Sequence, residues 1–294
     1  MAGIKKKALT WVLLTLLLTA LLPVTAYADM GPKPSVQVTF ENMDDRLCYG
    51  TLLSERESTG PAYVWDGNEE HISLWGDQDR DVWQAFVDYQ DPDGFYFLQW
   101  FWRCDETKEL DWGYYPPDTF KILLYYPDTG EFLSSEILQT YAFDSYFTMD
   151  VTGDLSARQT LPAQKNYDYT REIAGFMARL ILTILIELAV TWLFGFRRKG
   201  QLLLVLAVNA VTQIALNVFL TLIGMKQGPS VFTFAYVVVE PAIVVIEYVA
   251  YRNLFHRFGG EKVAGKTILL YTLLANAISF GAGFLLNLFI PNIF

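Results

Sequence analysis

The run VVVEPAIVVIEYVAYR, residues 237–252, consists largely of Val, Ile, Ala and Tyr, yet it contains Glu240 and Glu247. The two are seven residues apart, which puts them on one face of a helix. A third carboxylate, Glu187, interrupts a separate apolar stretch. Carboxyls in such surroundings can stay neutral and donate hydrogen bonds, because burial away from water disfavours the charged form. They can instead relay a proton or hold a cation, or act as a general base on a water held by Asn in an intramembrane hydrolase. The plain alternative is glue between helices, worth about 0.6–2 kcal/mol per contact. A bare charge at mid-membrane costs about 2.5–3.5 kcal/mol on insertion scales. Asn and Gln can tie helices together without that risk, so three Glu point towards a working site.

Four apolar segments must position these groups: 173–196, 201–223, 231–252 and 267–290. Each is long enough to cross roughly 30 Å of hydrocarbon. The first carries Arg179, Thr183, Glu187 and Thr191; the second carries Asn209, Gln213, Asn217 and Thr221, all at spacings of four. The fourth carries Thr272, Asn276, Ser279 and Gly283. One polar stripe per span predicts a four-helix transmembrane bundle with the stripes turned inward. At about 1.5 Å per residue, Glu187 and Asn209 lie roughly 13 Å and Asn276 about 15 Å from the inner ends of their spans. On the same scale Glu240 falls near 18 Å and Glu247 near 8 Å, above and below that layer.

Charge sets the orientation. Arg197, Arg198 and Lys199 follow the first span, and Arg252, Arg257, Lys262 and Lys266 lie between the third and fourth, whereas the intervening loop carries only Lys226. The basic side is expected to be cytoplasmic, which puts the C-terminus outside. The N-terminus agrees: Lys5–Lys7, an apolar run from Ala8 to Leu22, Pro23 and Ala26-Tyr27-Ala28 read as a signal peptide, 1–28.

Residues 29–168 carry a net charge of −18 and residues 169–294 a net of +5, which suggests two compartments. The acidic balance argues against nucleic acid as a partner. In the acidic part, 36–40, 96–102, 120–126 and 145–151 read as strands, and 81–89 as a short helix from Trp83, Phe86 and Val87. Asp91-Pro92-Asp93-Gly94 and Pro127-Asp128-Thr129-Gly130 supply turns. The expected fold is α+β: an extracellular β-sandwich-like domain, immunoglobulin-like in the broad sense, followed by the helical bundle in 169–294.

The two cysteines, Cys48 and Cys104, can form a disulfide in an exported domain. Positions 56 apart in the chain give roughly 4 kcal/mol in the chain-entropy picture; the alternative is a pair of buried thiols. Asp77, Asp79, Asp81 and Asp88 have calcium-loop spacing, but Val82 stands where the loop needs Gly. An acidic helix N-terminus explains them better. Trp65, Trp112, Tyr114 and Tyr115 suit either a carbohydrate platform or, more simply, a core. His71 and His256 fall in different halves, too few for a His-based triad or zinc site.

The segments YADMGPKPS (27–35), CYGTLLSE (48–55), FGFRRKGQLLLVLAVNAVTQIALN (194–217) and ANAISFGAGF (275–284) resemble a family of bacterial membrane proteins. Its members join a signal peptide and an exported domain to a C-terminal four-helix membrane region, and no activity is established for it. The resemblance implies the architecture and no chemistry. Glu247-Tyr248-Val249-Ala250-Tyr251-Arg252 is faintly similar to the glutamate-dependent CAAX-processing intramembrane proteases. That family pairs adjacent glutamates and uses membrane-embedded His; here Ile246 precedes Glu247 and the spans contain no His. The sequence therefore leaves three readings: a sensor or relay with a proton or cation site, an intramembrane hydrolase, and a surface-domain anchor. Membrane lipid is the expected surround. The extracellular ligand and any cofactor stay unspecified, and conduction through four helices would call for a homo-oligomer.

Overall fold

The computed structural model describes residues 31–74, 76, 78–152, 160–259 and 262–289. The segment expected to be a signal peptide, 1–28, Asp77 and the extreme C-terminus lie outside the described residues. The described chain divides into a β-rich unit over Pro32–Tyr167 together with Met225–Gly228, and a helical unit over Asp168–Gly224 and 229–289.

The β-rich unit has two sheets. The first orders β10 (Ala163–Lys165), β9 (Asp144–Asp150), β1 (Ser35–Glu41) and β5 (Glu109–Trp112). The second orders β3 (Tyr96–Phe97), β2 (Tyr49–Ser54), β6 (Thr119–Tyr126) and β7 (Glu131–Ser134), with β4 (Trp102–Arg103) on β2 and β8 (Leu138–Gln139) on β6. On β1, buried Val36, Val38 and Phe40 alternate with exposed Gln37, Thr39 and Glu41, the period-two pattern of a half-buried strand. These residues share one core with Leu52, Trp112, Ile122, Leu124 and Phe147, so the sheets pack face to face.

The continuous apolar run on β6 has a different cause. Its second face is covered by helix α1 (Arg80–Asp88), whose Trp83 and Phe86 pack with Leu53, Phe97, Phe101 and Leu123. Asp79 caps α1 by accepting from the Asp81 backbone N–H, which accounts for the acidic cluster as a helix start. Lys121 also points to this face, into a buried pairing with Asp91 at 2.9 Å and with Asp93. Asp91 in turn accepts from the Asp93 and Phe95 backbone N–H groups, and Gly94 takes φ 77° to close the turn.

Three expectations are corrected. The 96–102 run is two short strands, because Gln99 adopts φ 67° and leaves the ladder. Its buried amide accepts from Ser73 N–H and donates to the Tyr63 carbonyl, tying two loops. The sheets are not wholly antiparallel as expected of the sandwich, because β1 and β9 pair in parallel. Cys48 and Cys104 are buried free thiols rather than a bridge. They flank the β2–β4 pairing, the Cys104 N–H donates to the Cys48 carbonyl at 2.8 Å, and the thiols turn to separate acceptors, Tyr49 O and Trp102 O. Burial pushes the Cys48 thiol up to about 12. Trp112 is fully buried, as a core role requires.

The helical unit contains α2 (Thr170–Leu193), α3 (Lys199–Gln227), α4 (Pro229–Gly259) and α5 (Gly265–Phe289). Among the described residues, α2, α3 and α4 are long and apolar enough to cross a membrane. The fourth, α5, packs against α2 and α4. Exposed Leu185, Leu203, Val211, Val245 and Ile246 turn outward, while the polar residues turn in. At Gly200 a Cβ would sit 2.6 Å from the Phe258 carbonyl oxygen, so only glycine allows this approach of α3 to the end of α4.

Candidate functional site: a polar core between the helices

Of the residues singled out from sequence, Glu187, Asn209, Gln213, Asn217, Glu247, Asn276 and Ser279 are all buried, and Glu240 is half-buried. Glu187 is 1% exposed and Glu247 0%. Neither faces the outer surface, although the residues around them are almost all apolar.

The polar groups meet in three layers. In the innermost, the Tyr271 hydroxyl of α5 donates to Glu187 Oε2 of α2 at 2.9 Å. Thr191 Oγ1 lies 2.9 Å from that hydroxyl and 2.6 Å from the Glu187 carbonyl. On α3, Asn209 Nδ2 donates to the Tyr251 hydroxyl of α4 at 2.9 Å and to the Val205 carbonyl at 3.1 Å. The Tyr251 and Tyr271 rings pack at 5.6 Å, with Phe255 and Phe196 around them. The Glu187 and Asn209 side chains are neighbours, yet Glu187 Oε1 and Asn209 Oδ1 are both buried and make no hydrogen bond among the described residues.

In the middle layer, Glu247 accepts from Thr212 Oγ1 at 2.9 Å and from Asn276 Nδ2 at 2.7 Å. One carboxylate thus joins α3, α4 and α5. Ser279 donates to the Asn276 carbonyl at 3.0 Å. In the outermost layer, Arg179 Nε donates to Asn217 Oδ1 at 2.5 Å, and Asn217 Nδ2 donates to the Gln213 carbonyl at 2.8 Å. Arg179 also lies over the Phe232 ring, 5.9 Å from its centroid. Glu240 lies beside Tyr236, one turn earlier on α4. Pro241, the next residue, removes a donor from mid-helix and so leaves a carbonyl one turn earlier without its helical partner.

The layering differs from the expected one. Asn276 meets Glu247 rather than Glu187, because the ends of the helices that carry the basic residues are not where the apolar runs stop. The third helix continues to Gly259 and the first ends at Leu193. Measured from those ends, Glu247 is roughly 18 Å deep and Glu187 about 9 Å, the reverse of the sequence order. Tyr251, Tyr271 and Thr212 are the members of the polar core that polar-stripe reasoning missed. A signal was present: Tyr251 is one turn after Glu247, Tyr271 adjoins Thr272, and Thr212 is three after Asn209. A Tyr in an apolar span counts as apolar in a hydropathy pattern, but its hydroxyl must still find a partner.

The hydrogen-bond donors and carboxylates can hold a proton. They could also serve a small cation through Glu, Asn and hydroxyl oxygens, although among the described residues no three His, Cys, Asp or Glu side chains cluster with metal-binding geometry. No family model, curated protein or solved structure matches the chain.

Proposed function

We propose that the chain is a multi-pass membrane protein whose four helices form a bundle around a proton or cation site, carrying the β-rich unit as an exported sensing domain. Two features support the arrangement. Three helices are of spanning length, and the basic residues Arg197, Arg198, Lys199, Arg252 and Arg257 gather at one end of the helices, as a cytoplasmic face requires. On this reading the β-rich unit and the C-terminus are external, membrane lipid contacts the outward apolar residues, and the external ligand is read by the acidic domain.

The observation that carries the site is the enclosure of Glu187 and Glu247 by Asn, Tyr and Thr from other helices. Intramembrane carboxylates placed this way are characteristic of relays and ion sites. For Glu247 alone the geometry also fits an interhelical tie, since both of its oxygens are bonded. That occupancy gives little support to Glu247 as the base of a hydrolase, which must present a free oxygen to water. The test uses the full chain in lipid vesicles, with thermal unfolding followed across pH and across Na+, K+ and Ca2+ concentrations. Glu187→Gln, Glu240→Gln and Glu247→Gln are expected to fold and to flatten that pH or cation dependence. Wild-type and variant profiles that coincide under all conditions would leave only interhelical glue.

A further inference from the structure

We infer that the site's ligand is a single proton, carried on Glu187 Oε1 and donated to Asn209 Oδ1. This rests on the reading above and sharpens it. Hydrogen-bond bookkeeping leads to it. An ionised carboxylate only accepts, and an amide oxygen only accepts. Glu187 Oε2 is satisfied by Tyr271. The remaining oxygen, Oε1, and Oδ1 of the neighbouring Asn209 are two buried acceptors that make no hydrogen bond among the described residues. Unpaired buried polar atoms are rare and costly, about 1–3 kcal/mol each. One proton cures both, because it turns Glu187 Oε1 into a donor aimed at Asn209.

The Asn209 amide is already committed in the orientation this requires. Its Nδ2 donates to Tyr251 and to the Val205 carbonyl, so Oδ1 is the atom left over. The groups facing Glu187 from the other helices are Tyr271 on α5, Asn209 on α3, and Tyr251 and Glu247 on α4, with Glu240 farther along α4. The ionisable ones are carboxyls and phenols, and none supplies a positive charge. Arg179, on the same helix as Glu187, is two turns away and engaged with Asn217. Glu247 differs from Glu187 in having a donor at each oxygen. A metal ion fits poorly with two free oxygens, since Ca2+ takes six to eight.

Loss of the proton has a defined local consequence. The Asn209 amide turns over so that Nδ2 donates to Glu187 Oε1, and Tyr251 reverses from acceptor to donor towards Asn209 Oδ1. The proton passes to water, and no heavy atom changes its bonding. Protonation of α2 is thereby coupled to a hydrogen bond between α3 and α4.

The experiment is infrared spectroscopy of the full chain in lipid vesicles, in H2O and D2O, through the carbonyl stretch of a protonated carboxyl. At neutral pH the wild type is expected to show such a band. It should disappear in Glu187→Gln, persist in Glu247→Gln, and shift in Asn209→Leu, which removes the acceptor. Glu187→Gln keeps a donor towards Asn209, so its melting temperature should fall less than that of wild type on the alkaline side, the contribution of Lys121 in the β-rich unit being common to both. Should Glu187→Gln fail to accumulate, the Asn209→Leu shift and the Glu247→Gln persistence carry the assignment. The absence of any band, or a band that survives Glu187→Gln, overturns the proposal: the carboxyl is then ionised, served by water or a turned amide. Na+, K+ or Ca2+ that abolishes the band and stabilises wild type but not Glu187→Gln also overturns it, while leaving the broader reading of an ion site intact.

Discussion

Replacing Tyr271 by Phe isolates one hydrogen bond of the polar core. The ring stays, with its contacts to Phe194, Phe196 and Tyr251, each at 5.6 Å between centroids, so packing is conserved. The hydroxyl goes, and with it the only donor among the described residues to Glu187 Oε2, at 2.9 Å. Thr191 keeps a partner, because its Oγ1 already lies 2.6 Å from the Glu187 carbonyl. The loss is therefore one buried acceptor left unsatisfied. In soluble proteins that costs about 1–3 kcal/mol; between membrane helices hydrogen bonds average about 0.6 and reach about 1.7 kcal/mol. The carboxyl's burial argues for the upper part of the membrane range. We expect about 1.5 kcal/mol, roughly a tenfold shift in the unfolding equilibrium. The assay is unfolding in mixed micelles titrated with a denaturing detergent, run as a double-mutant cycle with Glu187→Ala. A coupling energy near 1 kcal/mol is expected. Coupling indistinguishable from zero would mean the hydroxyl and the carboxyl do not meet, and the innermost layer would be wrong.

In the β-rich unit, Lys121→Met should destabilise by about 3–5 kcal/mol, since it leaves the fully buried Asp91 carboxylate unpaired; chemical denaturation measures it. Burial by itself lowers Lys121, but the hydrogen bonds it donates to Asp91 and Asp93 outweigh it and hold the ammonium above its usual range. Its stabilisation is therefore complete below the unfolded-state value and lost as pH rises through the higher folded value, so alkaline unfolding should lose this contribution in Lys121→Met. Gly200→Ala should cost about 1–3 kcal/mol in micelle unfolding, because its Cβ meets the Phe258 carbonyl oxygen and backbone has to move. Cys48 and Cys104, buried and with the Cys48 thiol pushed up to about 12, should resist iodoacetamide at neutral pH in the folded chain and both react after denaturation, read by mass spectrometry.

Some of this organisation was readable from the chain. Buried Glu187, Asn209, Glu247 and Asn276 were marked by spacings of four and seven within apolar segments, where a polar side chain has no reason to repeat unless it faces other helices. Which of them touch was not readable, because pairing depends on where each helix ends. Hydropathy stops at Arg252, whereas the backbone stays helical to Gly259, since polar residues continue a helix as readily as apolar ones once it emerges. Strands β1, β6 and β9 announced themselves by composition. The remaining strands are short, and β2 holds Gly50 where its neighbours Leu110, Cys104 and Leu124 leave no room for a Cβ. The break at Gln99 could not be seen either: its left-handed backbone is stabilised by partners at Tyr63 and Ser73, distant in sequence. The parallel pairing of β1 with β9 is likewise a long-range fact to which local propensity is blind.

The account stands most directly on the meeting of Glu247 and Asn276, 2.7 Å apart between α4 and α5. Cysteines placed at 247 and 276, with Cys48 and Cys104 replaced by Ala, can be treated in native membranes with a short bifunctional thiol reagent. A matched pair at Val245 and Ile278, 61% and 46% exposed on the outer surface, serves as the control. Efficient intramolecular cross-linking of 247 with 276, and not of 245 with 278, is the predicted result. Equal yields, or a preference for the outer pair, would place the carboxylate towards lipid and contradict the polar core.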